Sequence, residues 1–306
     1  MAVMMKTQLT IAPILFHWSA EQKLDFYARI ADEAPIDVVY LGEVICSKRT
    51  PFFEKHYGEV AERLTRAGKT VVFSTLAEVM LKRERNMIAR FCDLEDYELE
   101  VNDSSALWHL ERKPYRIGSL MNVYNEDTMA YLVGKGATHF SLPPELPHNS
   151  IAILAARAKE LGVTIEVQVF GRVSLALSAR CYHARAHGRI KDNCQFVCEE
   201  DLDGMPLNTL EKEEFLTING IQTLSHTYLN LLGELDDMKN MGVTHFRLAP
   251  HTQDMVAVAK IFREALDTTA SVKESSEKLA TLGIPAPLSN GFWHGRPGHQ
   301  WVDQIC

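Results

Sequence analysis

The residues most able to do chemistry are cysteines: Cys46, Cys92, Cys181, Cys194, Cys198 and Cys306. Three of them share the segment ARCYHARAHGRIKDNCQFVC, with twelve residues between Cys181 and Cys194 and three between Cys194 and Cys198. Cys46, in LGEVICSKR, offers a fourth thiol. Four thiolates are what a structural zinc or a thiolate-held iron–sulfur cluster requires. Zinc sites often combine two close cysteine pairs, and here only Cys194 and Cys198 form one. The stretch around these ligands is cationic, with Arg180, Arg185, Arg189 and Lys191, and it also holds His183 and His187. An oxidised four-iron cluster on four thiolates is anionic, and cationic donors stabilise it and tune its potential. They would serve a zinc ion on four thiolates in the same way. Spacing favours a [4Fe–4S] cluster and leaves zinc and no metal open. Cys92, near a helix end, reads as a small buried hydrophobe. Cys306, the last residue, reads as mobile.

Other polar residues are weaker candidates. Glu43, Lys48 and Arg49 flank Cys46 and could hold an acidic small molecule or a neighbouring acid; a solvated loop is the plainer reading. Arg180 adjoins Cys181 and belongs with the surroundings of a cluster. Asn122 and Tyr124 follow the fifth strand, where barrel enzymes place polar site groups, although Asn122 also suits a turn. Glu166 and Gln168 alternate on the seventh strand and, if inward, need buried partners. Arg247 ends the eighth strand and suits an ion pair or an anion. His294 and His299, in HGRPGH, fall in what reads as a loose tail. GKGATH lacks the third glycine of a dinucleotide fingerprint. There is no P-loop, HExxH or GxSxG motif, and no CxxxCxxC run of the radical-SAM kind.

The elements that must position these residues follow a regular cadence. Apolar runs at 9–15, 37–41, 70–74, 97–101, 115–120, 138–142, 164–169 and 244–248 predict eight strands. IDVVYL, KTVVFS and TIEVQV are compact rather than alternating, as in strands buried on both faces. Ser19, with Gln22 three residues on, predicts a capping box, and Leu24, Tyr27, Ala28 and Ala31 its apolar stripe. Helices stop near Gly68, Gly136, Gly162 and Gly242, each followed by a strand. The pattern predicts an α/β fold, a single (β/α)8 TIM-barrel-like domain over 1–306, with a doubly wound open sheet as the rival. An insertion at 170–228, between the seventh and eighth strands, carries three cysteines and a hairpin candidate, FLTINGIQTL. Loops after strands two and seven open on one face of a barrel, so Cys46 can meet the insertion's thiols. Residues 271–306 read as a helix and a tail.

The 306 residues carry a formal net charge of −8. That balance counts against a general nucleic-acid or anionic-membrane surface. No apolar run reaches the roughly 18–20 residues of a membrane span. The stretch after Lys6 lacks a cleavage site and reads as a strand rather than a signal peptide. A cytoplasmic location with reduced thiols is expected.

Taken together, DVVYLGEVICSKR, NVYN, LALSARCYHAR, KDNCQFVC and TINGIQTLS resemble the UbiU/UbiV branch of the collagenase-like (U-thirty-two) peptidase family, over roughly 10–295. The resemblance implies that Cys46, Cys181, Cys194 and Cys198 hold a [4Fe–4S] cluster. It implies a heterodimer with a UbiU-like homologous subunit, each carrying one cluster. The pair would hydroxylate the aromatic ring in ubiquinone biosynthesis without oxygen. A UbiT-like lipid-binding accessory protein, a quinone precursor as substrate and prephenate as oxygen donor complete what it implies. Three other readings stay open: a non-catalytic scaffolding subunit stabilised by its cluster, a peptidase-like hydrolase, and an RNA hydroxylase. A hydrolase needs an activated nucleophile or an open metal position, and neither is visible in the sequence. The negative charge counts against the RNA reading.

Overall fold

The computed structural model describes residues 7–110 and 113–303, so Cys306 lies outside the described residues. Seven strands come first: β1 (Gln8–Ile11), β2 (Val38–Leu41), β3 (Thr70–Ser74), β4 (Glu98–Val101), β5 (Tyr115–Ile117), β6 (Ala137–Ser141) and β7 (Thr164–Leu177). Next come β8 (Met205–Asn208), β9 (Glu214–Asn219), β10 (Gln222–Asn230), β11 (His245–Leu248) and the short β12 (Leu288–Ser289). β1 to β7 pair in chain order, all parallel, and β11 pairs in parallel with both β7 and β1. That double pairing closes an eight-stranded barrel and rules out the open sheet. The expected first strand runs past the observed one, because Pro13 has no N–H to give the ladder.

Helices cover the outside of the barrel. The helix Ala20–Glu33 starts at Ser19 with the expected capping box. Its buried face is Lys23, Tyr27, Ile30 and Ala31, rotated from the expected stripe. Lys23 is the reason: its aliphatic stem is covered while its ammonium lies 5.5 Å from the Phe53 ring centroid. Outward strand residues such as Leu9, Ile11, Val39, Leu41, Val167 and Phe246 join the helices in one apolar core.

The inside of the barrel differs. Val38, Tyr40 and Val72 form a small apolar cluster of their own. The buried residues Thr10, Ser74, Glu100, Arg116, His139, Glu166, His245 and Arg247 are polar or charged. Barrel interiors are usually filled by branched aliphatic residues, and this one is filled instead by a buried polar network.

β7 is fourteen residues long and leaves the barrel halfway. Its second half pairs antiparallel with β10, which pairs with β9, and β9 with β8. The change of partner centres on Gly171, at φ +105°, where a Cβ would stand 2.7 Å from Ala249 Cβ. The predicted hairpin is therefore β9–β10, part of a small sheet standing on the barrel rim. The described part of the tail, to residue 303, packs on the barrel rather than hanging loose. Trp293 is buried, and Asn290 Nδ2 donates to Glu234 Oε1 (3.0 Å) and to the Val302 carbonyl (3.0 Å). Among the described residues, no helix is long and apolar enough to cross a membrane.

Candidate functional site

The four ligand candidates line a single pocket above the barrel rim. Cys46 comes from the loop after β2; Cys181, Cys194 and Cys198 come from the excursion between β7 and β8. Cys181 caps the short helix Tyr182–Ala186, its sulfur accepting from the Ala184 N–H at 3.4 Å. Between Cys194 and Cys198 the chain takes two consecutive left-handed residues, Gln195 (φ 49°) and Phe196 (φ 54°). Side chains disfavour that region, and such strain persists only where surroundings enforce it. Here it turns both thiols to the same pocket. Phe196 packs against Phe52 at 4.8 Å and His17 at 5.6 Å.

Positive charge surrounds the thiols. Arg49 is 2% exposed; it donates to the Leu15 carbonyl (2.9 Å) and to Asn219 Oδ1 (3.0 Å). Its Nε is buried without an acceptor. Lys48 Nζ lies 3.5 Å from Cys194 Sγ and donates to the Lys191 carbonyl at 2.7 Å. His183 is fully buried, its Nε2 2.9 Å from Asp201 Oδ2 and its Nδ1 without a partner. Burial pushes the Cys46, Cys181 and Cys198 thiols up, and the Arg49 charge works against that rise. The Arg49 Nε–H, a buried donor without an acceptor beside four thiols, fits an anionic group seated among them.

The thiols share a pocket without closing on a point. Among the described residues, no three His, Cys, Asp or Glu side chains are placed to hold one metal ion. A tetrahedral zinc site needs its sulfurs about 2.3 Å from one centre. In a cluster held by four cysteines each thiolate meets its own iron, so the sulfurs stand further apart.

The other sequence candidates are dispersed. Glu43 is buried and accepts from the Ile45 and Cys46 N–H groups, both at 3.0 Å, so it shapes the Cys46 loop. Arg180 is exposed beside Cys181, outside the thiol pocket. Asn122 is an exposed left-handed turn residue (φ 55°), and the exposed Tyr124 hydrogen-bonds Glu145. Neither lines the thiol pocket or the barrel mouth. Cys92 is buried, as expected. His294 binds Glu234 at 3.1 Å.

Glu166 does face inward. Its carboxylate meets Arg247 Nη2 (2.6 Å), Thr10 Oγ1 (2.5 Å) and the Tyr40 hydroxyl (3.3 Å). Arg247 also binds Glu100 and lies 4.1 Å over the Tyr40 ring. Burial pushes Glu166 up, but Arg247 and His139 outweigh it and hold the carboxyl well below its usual range. Burial pushes His245 down to about 3. Above this network, Gln168, Arg172, Asn102 and Arg247 line a pocket at the barrel mouth, on the C-terminal side of the strands. Barrel enzymes place their sites on that face. Val44, Ile45 and Ile221 form an aliphatic wall between mouth and thiols: Val44 lines one pocket and Ile221 the other.

Sequence reasoning missed Arg172, Glu100, Tyr40 and the pair His139–His245. The available signal was period two: Glu98/Glu100, His139/Ser141, Glu166/Gln168 and His245/Arg247 put polar residues at alternate positions of otherwise apolar strands.

Residues 20–303 match the model of Peptidase family U32. Among solved structures, the chain is similar to phospho-2-dehydro-3-deoxyheptonate aldolase (DAHP synthase) from Thermotoga maritima. Identity is 9%, coverage 93% of this chain and 72% of that chain, and the TM-score 0.40. It is also similar to type I 3-dehydroquinate dehydratase from Clostridium difficile. There identity is 12%, coverage 88% of this chain and 94% of that chain, and the TM-score 0.37.

Proposed function

The chain belongs to peptidase family U32, and from that premise we propose that it is a UbiV-like iron–sulfur subunit of an oxygen-independent hydroxylase of ubiquinone biosynthesis. The observation that carries this reading is one pocket lined by Cys46, Cys181, Cys194 and Cys198 and backed by the buried Arg49 with its unpaired Nε. The four cysteines would hold a [4Fe–4S] cluster. Bound there, the cluster would supply one-electron chemistry at a potential set by its surroundings. Arg49 and Lys48 would place hydrogen bonds and charge around its sulfurs, while Phe196 and the Val44–Ile45–Ile221 wall keep water away. Membership of a family named for peptidases is no obstacle: the thiols sit beside cations and a carboxylate-bound histidine, with no serine–histidine pair around them among the described residues.

In this reading the chain works as a heterodimer with a UbiU-like subunit, acting on a quinone precursor with a UbiT-like protein as lipid-binding helper, in the cytoplasm. Substituting Cys181→Ala tests it. The variant is expected to lose cluster iron and, in a reconstituted pair kept without oxygen, ring hydroxylation. Full iron and sulfide in the Cys181→Ala protein would remove the ligand assignment.

A further inference from the structure

We infer that Arg49, Asn219, Gln222 and Ser174 form a one-way hydrogen-bond relay from the thiol pocket to the barrel mouth, with Asn219 and Gln222 as its positioning residues. Arg49 lines the thiol pocket, while Gln222 and Ser174 line the mouth. Arg49, Asn219 and Gln222 are buried. Asn219 ends β9 and Gln222 opens β10, so the two flank the turn that carries Ile221 of the aliphatic wall.

Each link has one allowed direction. A guanidinium only donates and a carbonyl only accepts. Arg49 donates through Nη2 to Asn219 Oδ1 (3.0 Å) and through Nη1 to the Leu15 carbonyl (2.9 Å). Asn219 Nδ2 donates to that same carbonyl at 2.8 Å. These contacts fix the Asn219 amide: turned over, it would set a donor against Arg49 and an acceptor against Leu15. Its Nδ2 also donates to Gln222 Oε1 at 3.1 Å, which fixes the second amide in turn. Gln222 Nε2 then donates to Ser174 Oγ at 2.9 Å. The Ser174 oxygen accepts there, so its own proton is left for an acceptor in the mouth.

Holding a hairpin does not require this arrangement. Asn219 and Gln222 face each other across the β9–β10 pair, where two apolar side chains would pack without needing partners. A buried network with its amides paired instead specifies one arrangement, and its bonds strengthen one another. Asn219 thus fixes how the Arg49 charge faces Cys46 and Cys198, and Gln222 fixes Asn219. An acceptor bound to Ser174 polarises the same chain from its other end, so the two pockets are coupled in both directions. What Arg49 faces rests on the cluster reading above; the bonds of the relay do not.

Three variants cut the relay at successive links: Asn219→Leu, Gln222→Met and Ser174→Ala. None of them removes a thiol or Arg49. Redox titration of the full chain, purified without oxygen and matched for iron, reads the result. Positive charge and N–H donors near the sulfurs raise a cluster's potential. Each variant is therefore expected to lower it, Asn219→Leu most and Ser174→Ala least. A merely structural part for these residues would lower stability and leave the potential of iron-replete protein unmoved. Denaturant titration of the full chain gives a second reading, whether or not iron is bound. Arg49 and Gln222 share no hydrogen bond, yet the double variant Arg49→Met with Gln222→Met is expected to lose less stability than the two single losses added together. Additive losses, or an unchanged potential in iron-replete Gln222→Met or Ser174→Ala protein, would overturn the relay. Iron absent from the unaltered chain would remove the cluster reading, and additivity would still decide the relay. Should Asn219→Leu fail to fold, the other two variants carry the test, because they leave both acceptors of Arg49 in place.

Discussion

Arg49 and Arg247 show how single residues carry the two halves of this site. Arg49→Met removes the charge beside Cys46 and Cys198 and leaves Asn219 Oδ1 without its donor, while the Leu15 carbonyl keeps the Asn219 amide. Loss of a partner that orients a metal site typically lowers metal affinity about 10–100-fold. Iron released to a chelator over time is expected to rise accordingly, with Arg49→Lys in between because a lysine cannot span both acceptors. Arg247→Met strands two buried carboxylates, Glu100 and Glu166. Breaking a buried pair from one side costs about 3–5 kcal/mol, which a denaturant titration resolves. The cysteines were legible in the sequence because thiols are rare and their cationic neighbours share one segment. Arg172 was not, because its role depends on β7 changing partners at Gly171, which no local pattern announces.

At the scale of elements, the β9–β10 hairpin joins the two pockets. Its turn residue Gly220 has φ +61°, and a Cβ there would stand 2.9 Å from Arg49 Nη2. Gly220→Ala is expected to lower stability by about 1–2 kcal/mol and to loosen the proposed cluster with it. A milder effect on iron retention than on stability would mean that Arg49 can shift without loss. The barrel interior makes a different prediction. Burial disfavours the charge of His245 and pushes it from the ordinary 6.5 of an unfolded chain down to about 3 in the folded one. The unfolded chain therefore takes up the extra proton first. Stability is full above pH 6.5 and falls toward pH 5, by about 1.4 kcal/mol per unit for such a histidine. His245→Asn is expected to lessen that dependence in denaturant titrations at pH 7, 6 and 5, the buried His17 and His139, pushed down in the same way, supplying what remains. The strands themselves were readable as apolar runs. Their polar inner face was not, because outward Val and Leu neighbours mask residues that alternate with them.

The whole molecule is an eight-stranded parallel barrel with a thiol-bearing rim on one face. The order of strands and the glycine stops foretold the barrel, while closure through β11 onto β7 and β1 came from pairing that only the folded chain displays. The net charge of −8 acquires a local meaning: Lys48, Arg49 and Lys191 gather at the thiol pocket of an otherwise acidic chain. This division gathers cations around the four thiols, where the proposed anionic cluster would sit. The central claim is met most directly by iron, zinc and acid-labile sulfide analysis of chain purified strictly without oxygen. The account predicts about four irons and four sulfides per chain, lost together in Cys46→Ala and Cys181→Ala. One zinc per chain, or iron that survives both substitutions, would contradict it.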